Sequence, residues 1–162
     1  MQLEVDVRVG TPFARGPEIV RDELDAAMVY GVNELRNEID PRTPRGVTSI
    51  LRGGNQIELS GTPIDRIGRV YNNVPYAPGV ESGTVPHFPP PGPLQLWVRR
   101  KLGITDEKEV RSVAFLIGRA ISRRGTQARN FFRDGVAVAR DRVRARFAEI
   151  PGRIVRRLEG GA

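Results

Sequence analysis

Val70–Thr84 reads VYNNVPYAPGVESGT, and Gly125–Arg133 reads GTQARNFFR. In the first stretch a polar, β-prone run ends in an aromatic–proline turn, Pro75-Tyr76-Ala77-Pro78, and a corner at Glu81-Ser82-Gly83-Thr84 follows. In the second, a basic Gly-Thr loop delivers Phe131 and Phe132 to the start of a helix. The first closes a β-rich front half and the second opens the last helix of a helical back half. The fold expected is therefore α+β: an antiparallel β-sheet packed by a long N-terminal helix and C-terminal helices. These residues make turns, docking points and anchors rather than a catalytic constellation.

The front half supplies the strands. Gln56–Ser60 alternates and reads as a strand that ends at Gly61-Thr62-Pro63. Ile64–Asn73 is a second strand candidate, with Ile67, Val70 and Tyr71 as its apolar positions, so the two predict an antiparallel hairpin or meander. Leu3, Val5, Val7 and Val9 alternate with polar residues and predict a half-buried strand ended by Gly10-Thr11-Pro12. Pro17 then opens a helical pattern that runs to about Ile39. Val20, Leu24, Ala27, Met28, Gly31, Leu35 and Ile39 share one stripe, and Pro41 is expected to stop the helix. Residues 40–54 are turn-rich and basic, with Ile50 and Leu51 docking a short segment.

The back half is helical. Residues 86–93, PHFPPPGP, form a stiff connector, because consecutive prolines favour polyproline II geometry over helix. Leu94, Leu96, Trp97, Val98 and Leu102 predict a short helix closed by Gly103. Thr105 is the expected cap of the next helix, whose stripe is Val110, Val113, Ala114, Ile117 and Ile121, joined by Phe115 and Leu116. Gly125 ends it. The final helix is expected from about Arg133 to Ile150, with Val136, Ala139, Val143, Phe147 and Ile150 on its buried side. Pro151-Gly152 breaks it, and 151–162 is expected as a C-terminal tail with one further turn at Ile154–Leu158. Residues 1–150 read as a single domain, helix-rich from about 93.

Composition narrows the chemistry. The 162 residues contain no cysteine and one histidine, so thiol nucleophiles, disulfides and cysteine or histidine zinc sites are not expected. His87 lies in the proline segment with nothing nearby to orient it as a base. Arg52-Gly53-Gly54-Asn55 lacks the Lys-Ser/Thr of a phosphate loop. No cofactor, metal or enzymatic activity is expected. MQLEVDVRVG lacks the pattern of a signal peptide, and no apolar run reaches about 18 residues, so no membrane helix is expected. Residues 97–162 carry 17 Arg and Lys against 7 Asp and Glu, whereas residues 1–96 carry 9 against 12. That split fits nucleic-acid contact through the back half, head-to-tail association of copies, or solvated helix faces.

Four segments, in order, carry a resemblance. Asp40–Ile50, DPRTPRGVTSI, is similar to an "AP-x-x-TG-x-L-x-x-SI" turn, with an extra residue or two around Thr43-Pro44. Pro75–Thr84, PYAPGVESGT, matches "PYAxxVExGT". A proline-rich run and Leu94–Ile104, LQLWVRRKLGI, match "LxxWVxxKLGI". Ala114–Thr126 followed by Phe131-Phe132 matches "AxxIxRxIxxRGTxxxxFF". This succession, over about residues 17–150, resembles the tail-completion or head–tail joining proteins of long-tailed bacteriophages, also described as minor tail or neck proteins. Two positions depart from the pattern: Ser82 stands where an aromatic is usual, and Asn130 where proline is usual.

The resemblance implies a structural virion protein of the neck or upper tail, assembled in the host cytoplasm. It implies a homo-oligomeric ring, sixfold in the family, that meets head-closure or connector, tail-terminator and tail-tube proteins while packaged DNA passes through its lumen. No membrane is involved. Tyr76, Glu81, Trp97, Arg124, Phe131 and Phe132 are then the candidate interface or anchor residues. For the phenylalanine pair, pinning the last helix to the core is the other reading of the same residues. The alternative function is a basic, sequence-nonspecific DNA-binding accessory protein.

Overall fold

A computed structural model describes residues 3–8, 18–62 and 65–158. The elements are β1 (Leu3–Arg8), α1 (Glu18–Arg42), α2 (Ile50–Gly53), β2 (Asn55–Thr62), β3 (Asp65–Asn72), α3 (Ala77–Ser82), α4 (Pro91–Trp97), a π-helical turn (Val98–Leu102), α5 (Glu107–Arg124), α6 (Phe131–Ala148) and α7 (Ile150–Leu158). The turn expected at Gly10-Thr11-Pro12, the opening at Pro17 and the strand end at Pro63 lie outside the described residues. The rest of the architecture is the α+β arrangement that the patterning predicts.

The three strands form one antiparallel sheet in the order β1-β3-β2. β2 and β3 make the expected hairpin, with Ile57 opposite Val70, and β1 adds to the free edge of β3, with Val5 opposite the same Val70. Val70 is fully buried at the centre of the sheet. The long helix α1 lies directly across β3. A Cβ on Gly68 would sit 2.5 Å from a Val32 methyl and 2.6 Å from the Met28 sulfur, so only glycine admits so close an approach. Helix α6 crosses α1 just as closely, since a Cβ on Gly135 would lie 2.7 Å from Ile39 Cγ1. Val32, Leu35, Ile39, Val70, Phe131, Phe132, Ala139 and Val143 form the main core between these elements.

Pro41 does not stop α1, which continues to Arg42. A proline in the last turn removes only one backbone donor, and Thr43 re-anchors the end by giving both its N–H and its hydroxyl to the Ile39 carbonyl, each at 2.9 Å. Asn55 lies beneath it, fully buried. Its amide nitrogen donates to Asp40 Oδ1 and Thr43 Oγ1, and its oxygen accepts from the amide of Asn72 at 2.6 Å. The Asn72 amide also donates to the Leu51 carbonyl. These bonds join α1, α2, β2 and β3 through buried groups that all have partners.

A second cluster seats the C-terminal helix. Helix α6 ends at Ala148, before the expected Ile150, and Pro151-Gly152 does not break a helix but lies in the first turn of α7, where the missing N–H of proline is harmless. The segment expected as a tail is thus helical to Leu158, and Ile150 and Ile154 pack on Val20, Leu24 and Ala27 of α1. Glu23, 5% exposed, meets three arginines here: Arg153 at 2.8 Å, Arg157 at 3.3 Å and Arg146 at 3.5 Å. The hydrogen bond from Arg153 is the main cause holding the Glu23 carboxyl below its ordinary value of 4.5, against burial that pushes it up. The contribution is therefore present above pH 4.5 and is lost as pH falls through the lowered folded value. Glu23→Gln should reduce stability near neutral pH and flatten the acid limb of the stability–pH curve. Denaturant melts of both proteins across that limb check it, and parallel curves below pH 4.5 would contradict the coupling.

The third cluster is separate. Val98, Val110 and Ala114 are its buried residues, with Leu94, Trp97, Ile104, Val113 and Ile117 packed around them. Two sequence expectations shift here. Helix α4 begins at Pro91, so Pro91 and Gly92 leave the connector, while Pro93, where a helix could start, lies in its first turn, because prolines are tolerated there. The cap of α5 is Asp106, not Thr105: its carboxylate accepts the Glu109 N–H at 2.8 Å. A third is overturned. Phe115 and Leu116 are 57% and 60% exposed and do not join the buried stripe, which is Val110, Ala114 and Gly118.

Candidate functional site

The two stretches that opened the sequence reading meet in space. Residues 77–82 form the short helix α3 rather than an open turn, with Pro78 in its first turn. Its buried Glu81 reaches the N-terminus of α6, fifty-odd residues away in the chain, where Oε2 accepts the Phe132 N–H at 2.9 Å and Oε1 the Arg133 N–H at 3.0 Å. Two of the donors that a helix start leaves open are thereby satisfied by one carboxylate, at the end where negative charge is favoured. The Glu81 carbonyl also accepts the N–H groups of Arg129 and Asn130. Asn130 has φ +50°, a conformation asparagine tolerates, and its N–H is in use. Proline, fixed near −65° and without a donor, would enter α6 along a different path.

Thr84 and Thr126 extend the joint. Each N–H donates to the other's carbonyl at 3.1 Å, and the two hydroxyls lie 2.9 Å apart. Gly83 and Gly125, which flank this bridge, both have positive φ. A Cβ on Gly125 would fall 1.8 Å from the Thr84 carbonyl oxygen, and one on Gly83 would fall 2.5 Å from that of Thr126. Glycine is required at both positions.

Phe131 and Phe132 are 1% and 4% exposed, stacked edge to face with centroids 5.6 Å apart. Neither points outward, so the expectation that one of them anchors a neighbouring subunit gives way to their other reading, with both rings pinning α6 onto the core. Glu81 is likewise occupied within the chain. Its replacement by alanine should cost about 2–3 kcal/mol, since two N–H groups at a buried helix start lose their acceptor. Thermal melts check this, with Glu81→Gln expected to lose less. A change below about 0.5 kcal/mol would mean that water replaces the carboxylate without cost.

Tyr76 and Trp97 remain as candidates for contact, and the fold brings them together. Tyr76, 52% exposed, and half-buried Trp97 line two adjoining hollows of about 470 and 700 Å³. Val80 and Pro93 belong to both. The smaller hollow adds Ile50, Leu96 and the 44–48 loop, and the larger adds Pro89, Pro90, Thr126 and Arg129. The result is a continuous apolar groove between the α2–α3 side of the body and α4. Arg124 is exposed at the end of α5 and lines neither hollow. His87 is also exposed, its Nδ1 3.0 Å from the Val85 carbonyl of its own loop. Among the described residues no group of three or more His, Cys, Asp or Glu side chains is placed to hold a metal, and no helix is long and apolar enough to cross a membrane.

The charge split noted in the sequence is partly consumed inside the chain. Arg142 of α6 bridges Glu34 and Glu38 of α1, Arg66 pairs with Asp25, and Glu23 and Asp22 take arginines of α6 and α7. Comparisons with protein-family models, with curated proteins and with solved structures return no match.

Proposed function

We propose that this chain is a structural virion protein of a tailed bacteriophage, a tail-completion or neck component that assembles into a ring joining tail to head-closure proteins around the DNA channel. The observation that carries the reading is the joint between α3 and α6. The residues quoted for the family pattern, Glu81, Gly83, Thr84, Gly125, Thr126, Phe131 and Phe132, hold two distant segments together, which is what a pattern of scaffold residues should do. The same joint leaves the apolar Tyr76–Trp97 groove open on one side of the body. A one-sided groove of this kind suits heterologous contacts, which generate rings when the rotation closes. The internal pairing of α1 acids with α6 and α7 arginines shifts the expected subunit contacts from charge to this groove.

Native mass spectrometry and negative-stain electron microscopy of the purified chain, alone and with tail-tube and head-closure proteins, test the proposal. Rings, or co-assembly at the end of tail tubes, are the expected result. A chain that stays monomeric at high concentration and ignores tail components overturns it. A Tyr76→Ala change should weaken assembly while leaving the melting temperature within a few degrees, because the ring is exposed.

A further inference from the structure

The basic residues of the back half include internally paired arginines, the cations of α5, and the separate exposed arginines Arg140, Arg144 and Arg156 of α6 and α7. Those of α6 and α7 that face α1 are paired: Arg142 with Glu34 and Glu38, and Arg146, Arg153 and Arg157 with Glu23. Those of α5 are not. Lys108, Arg111, Arg119, Arg123 and Arg124 are all exposed, and none pairs with a described residue. Glu107 is held by Arg99 at 2.7 and 2.9 Å, which leaves Glu109 as the one unpaired acid on the helix.

Helical spacing places these cations together. Lys108, Arg111, Arg119 and Arg123 fall within about 120° of one another, on an arc whose middle lies about 120° around the helix from that of buried Val110, Ala114 and Gly118. Phe115 stands in the middle of this arc, 57% exposed, its ring centroid 6.0 Å from that of Phe88. Ser112 lies on the same arc. The face is therefore a cationic strip with an aromatic centre, and among the described residues no helix or strand covers it.

A second copy is a poor occupant. Among the described residues the exposed acids without an ion-pair partner, such as Glu18, Asp65, Asp141 and Glu149, are scattered over α1, β3, α6 and the α6–α7 corner and form no matching strip. A strip of one sign is complemented by a partner that repeats the other sign along its length, and the phosphate backbone of nucleic acid does so. Arginine, which supplies all but one of the cations, also suits phosphate geometry.

We propose that the outward face of α5 binds the phosphate backbone of nucleic acid without reading sequence. The proposal is independent of ring formation and requires only a folded chain. A single copy carries few phosphate contacts, so its binding is weak and salt-sensitive, and repetition around an assembly multiplies it.

The test compares two triple variants of equal net charge in the full chain: Arg111→Gln/Arg119→Gln/Arg123→Gln on α5, and Arg140→Gln/Arg144→Gln/Arg156→Gln on α6 and α7. Fluorescence anisotropy with a short random-sequence duplex, and with a single strand of the same length, is followed through a salt series. Circular dichroism confirms the fold of each variant, and native mass spectrometry records its oligomeric state, so that failure to assemble is not mistaken for failure to bind. The wild-type chain should bind at low salt, and the α5 triple should lower the slope of log affinity against log salt by about 2–3. The α6–α7 triple should leave it nearly unchanged. Phe115→Ala weakening the single-strand arm alone would assign an unpaired strand, whose bases stack on the ring, as the preferred form. An unchanged response in both arms would assign the backbone alone. Equal weakening by the two triples, or no wild-type binding to either probe at low salt, overturns the proposal.

Discussion

Phe132→Ala should lower the free energy of unfolding by about 3–5 kcal/mol. The ring is 4% exposed, packs edge to face on Phe131, and belongs to the cluster that α1, β3 and α6 share. Truncation would leave a void bounded by Phe131 and by backbone that close glycine contacts already hold in place. At Gly135 the separation of α1 and α6 is set by a contact no side chain could share, so the helices have little room to collapse into the gap. Urea denaturation followed by circular dichroism measures the change. A loss below about 1 kcal/mol would mean that the neighbours close over the site, and that the ring is not the pin on which α6 turns. A variant that keeps its stability but no longer assembles would return Phe132 to the interface role that its burial argues against.

Gly125→Ala is the second large effect, at about 3 kcal/mol. Two costs coincide. The residue has φ +70° and ψ −157°, a region that is essentially glycine's alone, and its new methyl would occupy the space of the Thr84 carbonyl oxygen. Relief requires the Thr84–Thr126 bridge to open. Gly103 provides the control. Its φ of +71° and ψ of 15° are ordinary left-handed helix, and nothing lies within 4 Å of a Cβ there, so Gly103→Ala should cost only about 1 kcal/mol. The difference between the two melting temperatures reports the close approach together with the more restricted backbone region of Gly125. Equal shifts would show that the bridge contributes no rigidity.

The elements that sequence reading finds are those whose signal is local. Alternation gave the hairpin of β2 and β3, and a seven-position stripe gave α1, because a strand or helix half-covered by a core repeats its own geometry along the chain. What it missed depends on partners distant in sequence. Glu81 sits in a stretch that reads as a turn, and nothing near it announces a helix start fifty residues later. Asn55 reads as a turn asparagine and Asn72 as the end of a strand, and nothing near either announces the 2.6 Å bond between their amides. Phe115 and Leu116 are a different kind of miss. Each is displaced by about 100° or more from Ala114 at the centre of the buried arc, so angle alone places them outside, and their hydrophobicity drew them in. Pro151 reads as a helix stop but lies in the first turn of α7, and only the packing of Ile154 on α1 distinguishes those outcomes. Of the candidate site, the residue types were legible. Their division into an internal joint and an open groove was not.

The third cluster, built from α4, the π-helical turn and α5, shares none of its buried residues with the other two. The main neighbours of α5 are α4 and that turn, and the bridge of Thr126 to Thr84 follows its C-terminal end. A hairpin held this way can breathe as a unit while the sheet stays shut. Amide protons of α5 should therefore exchange with deuterium through an opening of lower free energy than those of β3, giving two tiers of protection in one small polypeptide.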